Sequence, residues 1–415
     1  MKLKLVVILF VFIGFYSCLE PFNTTVGDNA SRLLVVDGLI SNKNVAHSVK
    51  LTRSVANIDE NVVPVTDALV IIEDDLGLMT ALTEIDSGRY ETDTCNFHGV
   101  PGRTYTLYIK TNEGEEYRST PCLMKPSSHI DSVFITPGND YSTETDRQYN
   151  GIGVYVSGNV NSDEIKYLRW SYKEDWKFGV PFGPDQIPTP DGEWEYFSAN
   201  YECWKSSVST NILLYSFNNQ TGKNVVGKKL YFIQSQKSDK LYRRYSTLVE
   251  QYSISKEEYE FWRKLEQSAS GVGNIFGEQP FAITGNIKNI NNPDENVLGY
   301  FQVAGYTSER IYIGPGEIYD FRLPRRNSFE YCEVDSFLIA ELNKLALENG
   351  TTPFKNMYDI YDRFVLNQAN NYELAYPITD ESGMITLGLG LTMRECADCS
   401  LSGDTKKPDF WDDGY

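Results

Sequence analysis

Histidine is scarce: the 415-residue chain has three, His47, His98 and His129, and they are isolated from one another. Neither an H-E-x-x-H nor a G-x-S-x-G motif occurs, so metalloprotease and serine-hydrolase chemistry have no anchor. Cations are also short, with 38 Lys and Arg against 57 Asp and Glu and a net charge of −19. Such a balance argues against a nucleic-acid partner, or an anionic membrane held by basic patches. Beyond residue 15 no apolar run is long enough to span a bilayer as a helix. What remains is globular: 41% hydrophobic and 23% charged, with 13% aromatic residues led by 28 Tyr. No nucleophile–base or acid–base constellation is visible. The chain is expected to bind or scaffold, not to catalyse, with no cofactor and no metal site.

Lys2 and Lys4 precede an apolar segment from Leu5 to Phe15, then Tyr16-Ser17-Cys18. That segment is too short to cross a membrane and has the form of a signal peptide. A small residue directly before Cys18 reads as a bacterial lipoprotein cleavage site, so residues 1–17 are the expected signal and Cys18 the lipidation site. The two signal lysines lost, 36 basic residues face 57 acidic ones, a balance of −21. Lipid would have to supply the membrane affinity.

Six cysteines follow: Cys95, Cys122, Cys203, Cys332, Cys396 and Cys399. In an exported protein all six are disulfide candidates. Cys95 and Cys122 share one region and could pair. Cys396-Ala397-Asp398-Cys399 lacks the second C-x-x-C or histidine pair of a zinc site, so structural disulfides to Cys203 or Cys332 are its expected use.

After a linker, 18–31, residues 32–126 read as about seven short strands between turn signals such as Asp86-Ser87-Gly88 and Asn112-Glu113-Gly114. In Thr104–Lys110 the side chains of Tyr105, Leu107 and Ile109 share one face. The pattern predicts an immunoglobulin-like β-sandwich. Pro64-Val65-Thr66-Asp67-Ala68, Val70-Ile71-Ile72-Glu73-Asp74, Gly88-Arg89-Tyr90 and Gly102-Arg103-Thr104-Tyr105 resemble the carboxypeptidase-regulatory or transthyretin-like sandwich. That resemblance implies no active site.

Met124-Lys125-Pro126-Ser127-Ser128 reads as a junction to a larger β-rich domain over 127–403, closed by an acidic tail, 404–415. The whole is mainly β, with one or two helices. A helical insertion is expected near 255–268, opened by Ser255 and Glu258 as a capping box. Asp335 or Ser336 is expected to cap a second helix running to Glu348, stopped by Asn349-Gly350.

Trp170, Trp176, Trp194 and Trp204 are four of the six tryptophans, and Phe178-Gly179-Val180-Pro181-Phe182 runs between them. The Pro- and Gly-rich stretch after Phe178 reads as a loop or bent hairpin. Aromatics there either cover the core or make contacts. Trp170 is the core candidate; Trp176, Phe178, Phe182 and Trp194 are the contact candidates.

A set of short pieces names a family. They include Cys18-Leu19-Glu20-Pro21-Phe22, Leu34-Val35-Val36-Asp37-Gly38-Leu39-Ile40, Tyr167-Leu168-Arg169-Trp170 and Val297-Leu298-Gly299-Tyr300-Phe301. Cys396-Ala397-Asp398-Cys399 and Lys407-Pro408-Asp409-Phe410-Trp411 complete it. Together they resemble Bacteroidota lipoproteins grouped as domain of unknown function 4249, from Cys18 to Trp411. The resemblance implies an outer-membrane lipoprotein whose partner is an outer-membrane β-barrel such as a TonB-dependent receptor; display at the cell surface is expected, with the periplasmic face as the alternative. It carries over only Cys18. A ligand-capture protein, binding glycan or peptide through the aromatic stretch 170–204, is the other reading.

Overall fold

The computed structural model describes residues 32–55, 60–94, 97–142, 145–217, 223–271, 283, 285–324, 329–367 and 371–411. The signal segment, Cys18, the linker 18–31, Cys95 and the last residues of the acidic tail lie outside them. The fold is mainly β, in several sheets with a few helices.

The first part forms β1 (Leu34–Ser41), β2 (Ser48–Arg53), β3 (Val63–Pro64), β4 (Leu69–Asp74) and β5 (Met79–Ala81). It continues with β6 (Thr83–Asp86), β7 (Arg89–Glu91), β8 (Thr104–Lys110), β9 (Glu116–Ser119) and β10 (Cys122–Leu123). The middle contains β11 (His129–Ser142), β12 (Arg147–Asn159), β13 (Tyr167–Gly179), β14 (Gln186–Pro188) and β15 (Trp194–Tyr196). Then come β16 (Glu202–Val208), β17 (Leu213–Ser216), β18 (Asn224–Gln234), β19 (Arg244–Ile254) and α1 (Lys256–Gly271). The last part has β20 (Ile287–Asn289), β21 (Leu298–Ile313), α2 (Pro315–Asp320), β22 (Asp335–Leu338), α3 (Ile339–Glu348) and α4 (Met357–Tyr361). A π turn (Asp362–Leu366), β23 (Tyr372–Thr379) and β24 (Thr386–Met393) follow.

One sheet runs through most of the molecule in the order β16-β13-β19-β21-β1-β2-β7-β6, with β17 also on β13 and β3 on β2. Its joint is a parallel pairing of β1 with β21, from Val35 opposite Leu298 to Ser41 opposite Ala304. At Gly299 the backbone takes φ 86°, and a Cβ there would meet the Val36 carbonyl oxygen at 1.9 Å. Glycine alone allows that approach. The expected break at Met124–Ser128 is therefore not a break in the sheet. Nor do residues 32–126 close on themselves. A second sheet, β20-β9-β8-β4-β5 with β10 on β8, covers the first, and β20 comes from beyond residue 280. Their shared core includes Leu34, Leu51, Leu107 and Ile109, together with Ile287, Val297, Phe301 and Val303.

The period-two alternation of β8 is realised, with Tyr105, Leu107 and Ile109 buried. Between β5 and β6 the chain changes sheets: β5 joins one and β6 the other, and buried Leu82 marks the crossing. β21 is one unbroken strand of 16 residues. Asp335 and Ser336 do not cap a helix; they pair with Leu391 and Gly390 of β24, and α3 starts after them at Ile339. Pairing with a distant strand outweighs the local capping preference. Asn349 does end the helix, followed by Gly350 at φ 65°.

Beneath β13, β19 and β21 lies a layer of β11, β12 and β18, and the largest core fills the space between. Trp170 is fully buried there, and its indole N–H donates to Gln251 Oε1 at 2.7 Å. The C-terminal sheet β22-β24-β23 packs α4 and the π turn around Leu374, Leu389 and Leu391. Two disulfides radiate from the C-x-x-C segment: Cys203–Cys399 reaches β16 and Cys332–Cys396 reaches the chain ahead of β22.

Candidate functional site

The aromatic segment sits mostly on β13. Alternation along that strand sends Leu168, Trp170, Tyr172, Glu174, Trp176 and Phe178 to the covered face. This corrects two contact candidates: Trp176 is 7% exposed and Phe178 3%, both within the main core. The strand runs on to Gly179, so Phe178 is not in a loop. Phe182 is half-buried beside Tyr376, ring centroids 6.3 Å apart. Trp194, in the β14–β15 hairpin, is half-buried against the C-terminal core. The sequence reading passed over Tyr196, which is 81% exposed on the same hairpin. Its signal was the short alternation Trp194-Glu195-Tyr196.

The tail also differs from expectation. Asp404 forms a two-way backbone bridge with Trp204, at 2.8 and 2.9 Å. Further on, the Phe410 carbonyl accepts from Tyr312 Oη at 2.6 Å, and Arg310 lies 3.7 Å over the Phe410 ring. Trp411 is buried, edge-on to Tyr312. Residues 404–411 thus form a strap across the sheet, begun at the Cys203–Cys399 disulfide.

Between strap and β16 lies a cleft of about 520 Å³, lined by Trp176, Trp204, Lys205, Ser402, Asp404 and Lys406 among others. Its size falls in the range of small-molecule sites. The indole N–H groups of Trp176 and Trp204 are buried without an acceptor. Lys205 pairs with Asp239 at 2.8 Å. The Lys406 ammonium has no ion-pair partner among the described residues.

A second, smaller cleft of about 240 Å³ adjoins it, lined by Tyr172, Glu174, Tyr231, Lys237 and Lys240. Lys240 lies between the two: its Nζ is 2.5 Å from Glu174 Oε2 and 5.1 Å above the Trp176 ring. Tyr245 Oη donates to Glu174 Oε1 at 2.7 Å, Tyr231 and Tyr245 hydroxyls are 2.8 Å apart, and Tyr231 donates to Thr247 Oγ1. Tyr172 stacks on Tyr231 at 3.8 Å. Burial, then the Glu174 charge, pushes the Tyr172 hydroxyl up to about 12, and the Tyr231 and Tyr245 hydroxyls go well above their usual range. These phenols stay protonated donors and cannot serve as bases near neutral pH. The Tyr245 and Tyr231 protons are already directed to Glu174 and Thr247.

Elsewhere, Cys122 is a free thiol, so the pairing with Cys95 that their shared region allowed is not made. It accepts from Asn286 Nδ2 at 3.1 Å and faces the Phe301 carbonyl, so it is occupied at the seam with β21. Burial raises it to about 11. The capping box at α1 is half made: Ser255 Oγ accepts from the Glu258 N–H, but the Glu258 carboxylate turns to Trp262 Nε1. Glu258 is buried, and desolvation lifts it to about 7, against the pull of Arg169. Among the described residues no His, Cys, Asp and Glu side chains cluster as a metal site. No described helix is long and apolar enough to cross a membrane, which says nothing of β-barrels.

A family described as "Domain of unknown function (DUF4249)" matches residues 19–310. No curated protein matches the chain. Among solved structures, one titled "Biofilm associated protein - BSP domain" is similar at 7% identity and a TM-score of 0.12. That likeness covers 68% of this chain and 59% of that one, and at such a score it carries no argument.

Proposed function

Starting from a chain that belongs to the DUF4249 family, we propose that it is an outer-membrane lipoprotein, anchored by lipid on Cys18 and displayed at the cell surface. It acts as an accessory or scaffold subunit of an outer-membrane β-barrel complex, a TonB-dependent receptor or a related machine, and catalyses no reaction of its own. Its N-terminal sheets act as an immunoglobulin-like arm of that scaffold. The observation that carries this reading is the family match beginning at residue 19, directly after the cysteine of a lipoprotein signal. The test is gentle detergent extraction of native membranes followed by affinity purification. A barrel should co-purify with the wild type and be lost, with the membrane association, in Cys18→Ser. Recovery of the wild type as a free monomer only would sink the proposal.

The cleft supports a second reading, capture of a glycan or peptide. It rests on the Trp176 and Trp204 side chains that line the cleft with Lys406, an aromatic wall on which a sugar or peptide group can stack. Binding to glycan and peptide arrays should weaken roughly tenfold in Trp176→Phe, which replaces the indole by a smaller phenyl ring. Unchanged binding in that variant rejects the cleft as the site.

A further inference from the structure

The chain as a whole is acidic, at −19, but the two adjoining clefts are not. Their linings contribute the ammonium groups of Lys205, Lys237, Lys240 and Lys406 against the carboxylates of Glu174 and Asp404. Most of these lysines are seated on rings: Lys237 lies 4.1 Å over Tyr149, Lys205 4.2 Å over Phe178, and Lys240 5.1 Å over Trp176. A cation over an aromatic face is held in place and keeps its charge. Lys205 makes an ion pair with Asp239, and Lys240 one with Glu174. An ammonium group carries three donors, so each of these pairs leaves capacity for a further acceptor. Lys406, exposed on the strap, has no ion-pair partner among the described residues.

The backbone beside the larger cleft is closed to a peptide. β16 is an outer strand of its sheet, and an extended peptide adds to such an edge through backbone hydrogen bonds. At Trp204 those groups are already used: its N–H donates to the Asp404 carbonyl at 2.8 Å, and its carbonyl accepts from the Asp404 N–H at 2.9 Å. What stays open to the cleft is side chains, the aromatic wall and the ammonium groups. The wall takes the apolar face of a sugar ring, and ammonium groups beside it take carboxylate or sulfate substituents on that ring. A neutral sugar would leave the lysines unanswered, and a purely apolar ligand would strip water from them without return.

We infer that the adjoining clefts bind an acidic saccharide, a sugar ring bearing carboxylate or sulfate. The inference rests on the capture reading and names its ligand. The full chain in detergent micelles is titrated calorimetrically with trigalacturonate and its methyl ester, with a sulfated galactan oligosaccharide and its desulfated form, and with hexaglutamate. An acidic sugar should bind roughly tenfold or more tighter than its neutral counterpart, and added salt should weaken it. Lys406→Gln should weaken it roughly three- to tenfold, whereas Lys50→Gln, at an exposed lysine of β2, should leave it unchanged. Because Lys406 is exposed and makes no ion pair, its substitution strands no buried charge and the fold is kept. Equal binding of acid and neutral counterpart, or no loss in Lys406→Gln, overturns the acidic class while capture stands. Tighter binding of hexaglutamate makes the ligand a peptide and overturns the saccharide. If no probe binds at millimolar concentration, the inference and the capture reading have both failed.

Discussion

Glu258 is a carboxyl group placed where burial outweighs the pull of Arg169. Its folded value of about 7 lies above the ordinary 4.5, so the native state keeps the proton longer than the unfolded state. The stability it contributes is fully present below about pH 4.5 and lost as pH rises through about 7. The span corresponds to about 3 kcal/mol. Glu258→Gln should therefore stabilise the protein by about 2–3 kcal/mol at pH 8 and by little at pH 4, read from urea melts at both values. An equal shift at the two pH values would contradict it. Little of this was legible in the sequence. Ser255 and Glu258 have capping-box spacing, and the helix start was read from it. The carboxylate turns inward because Trp262 lies one helical turn on and the sheet covers that face, which local spacing does not encode.

At the scale of elements, alternation was readable and pairing was not. β8 shows its buried side in Tyr105, Leu107 and Ile109 because one face is packed and the other is wet. β13 hid its orientation, since aromatic and charged residues occur on both of its faces and Glu174 shares the covered side with Trp176. Phe178 lost its contact role there, and Trp176 kept only an edge on the cleft. The cysteine segment behaves differently: its two bridges close 196 and 64 residues of chain. In the chain-entropy model loops of this size stabilise by roughly 4–5 kcal/mol each. Cys203→Ala/Cys399→Ala should lower the urea midpoint by a comparable free energy and loosen the strap, raising hydrogen exchange at the Trp204–Asp404 bridge. Unaltered exchange would show that the strap holds without its disulfide.

For the whole molecule, the expected boundary near residue 126 fails because the N-terminal core borrows β20 and β21. A fragment of residues 32–126 lacks Ile287, Val297, Phe301 and Val303 from that core and should not fold cooperatively by calorimetry. A sharp transition for the fragment would restore the two-domain division. Mainly β character and the family were legible, because both are written in short local pieces. The borrowed strands were not, because a parallel pair across more than two hundred residues leaves no local trace.

That pairing also orders the events of biosynthesis. β1 emerges soon after Cys18, whereas its neighbour β21 is made some 260 residues later. Until then the β1 edge has no parallel partner, and closing so long a loop makes folding slow and exposes an unpaired strand to aggregation. The β1 edge therefore stays open until most of the chain has been made, and a chaperone has a defined edge to guard.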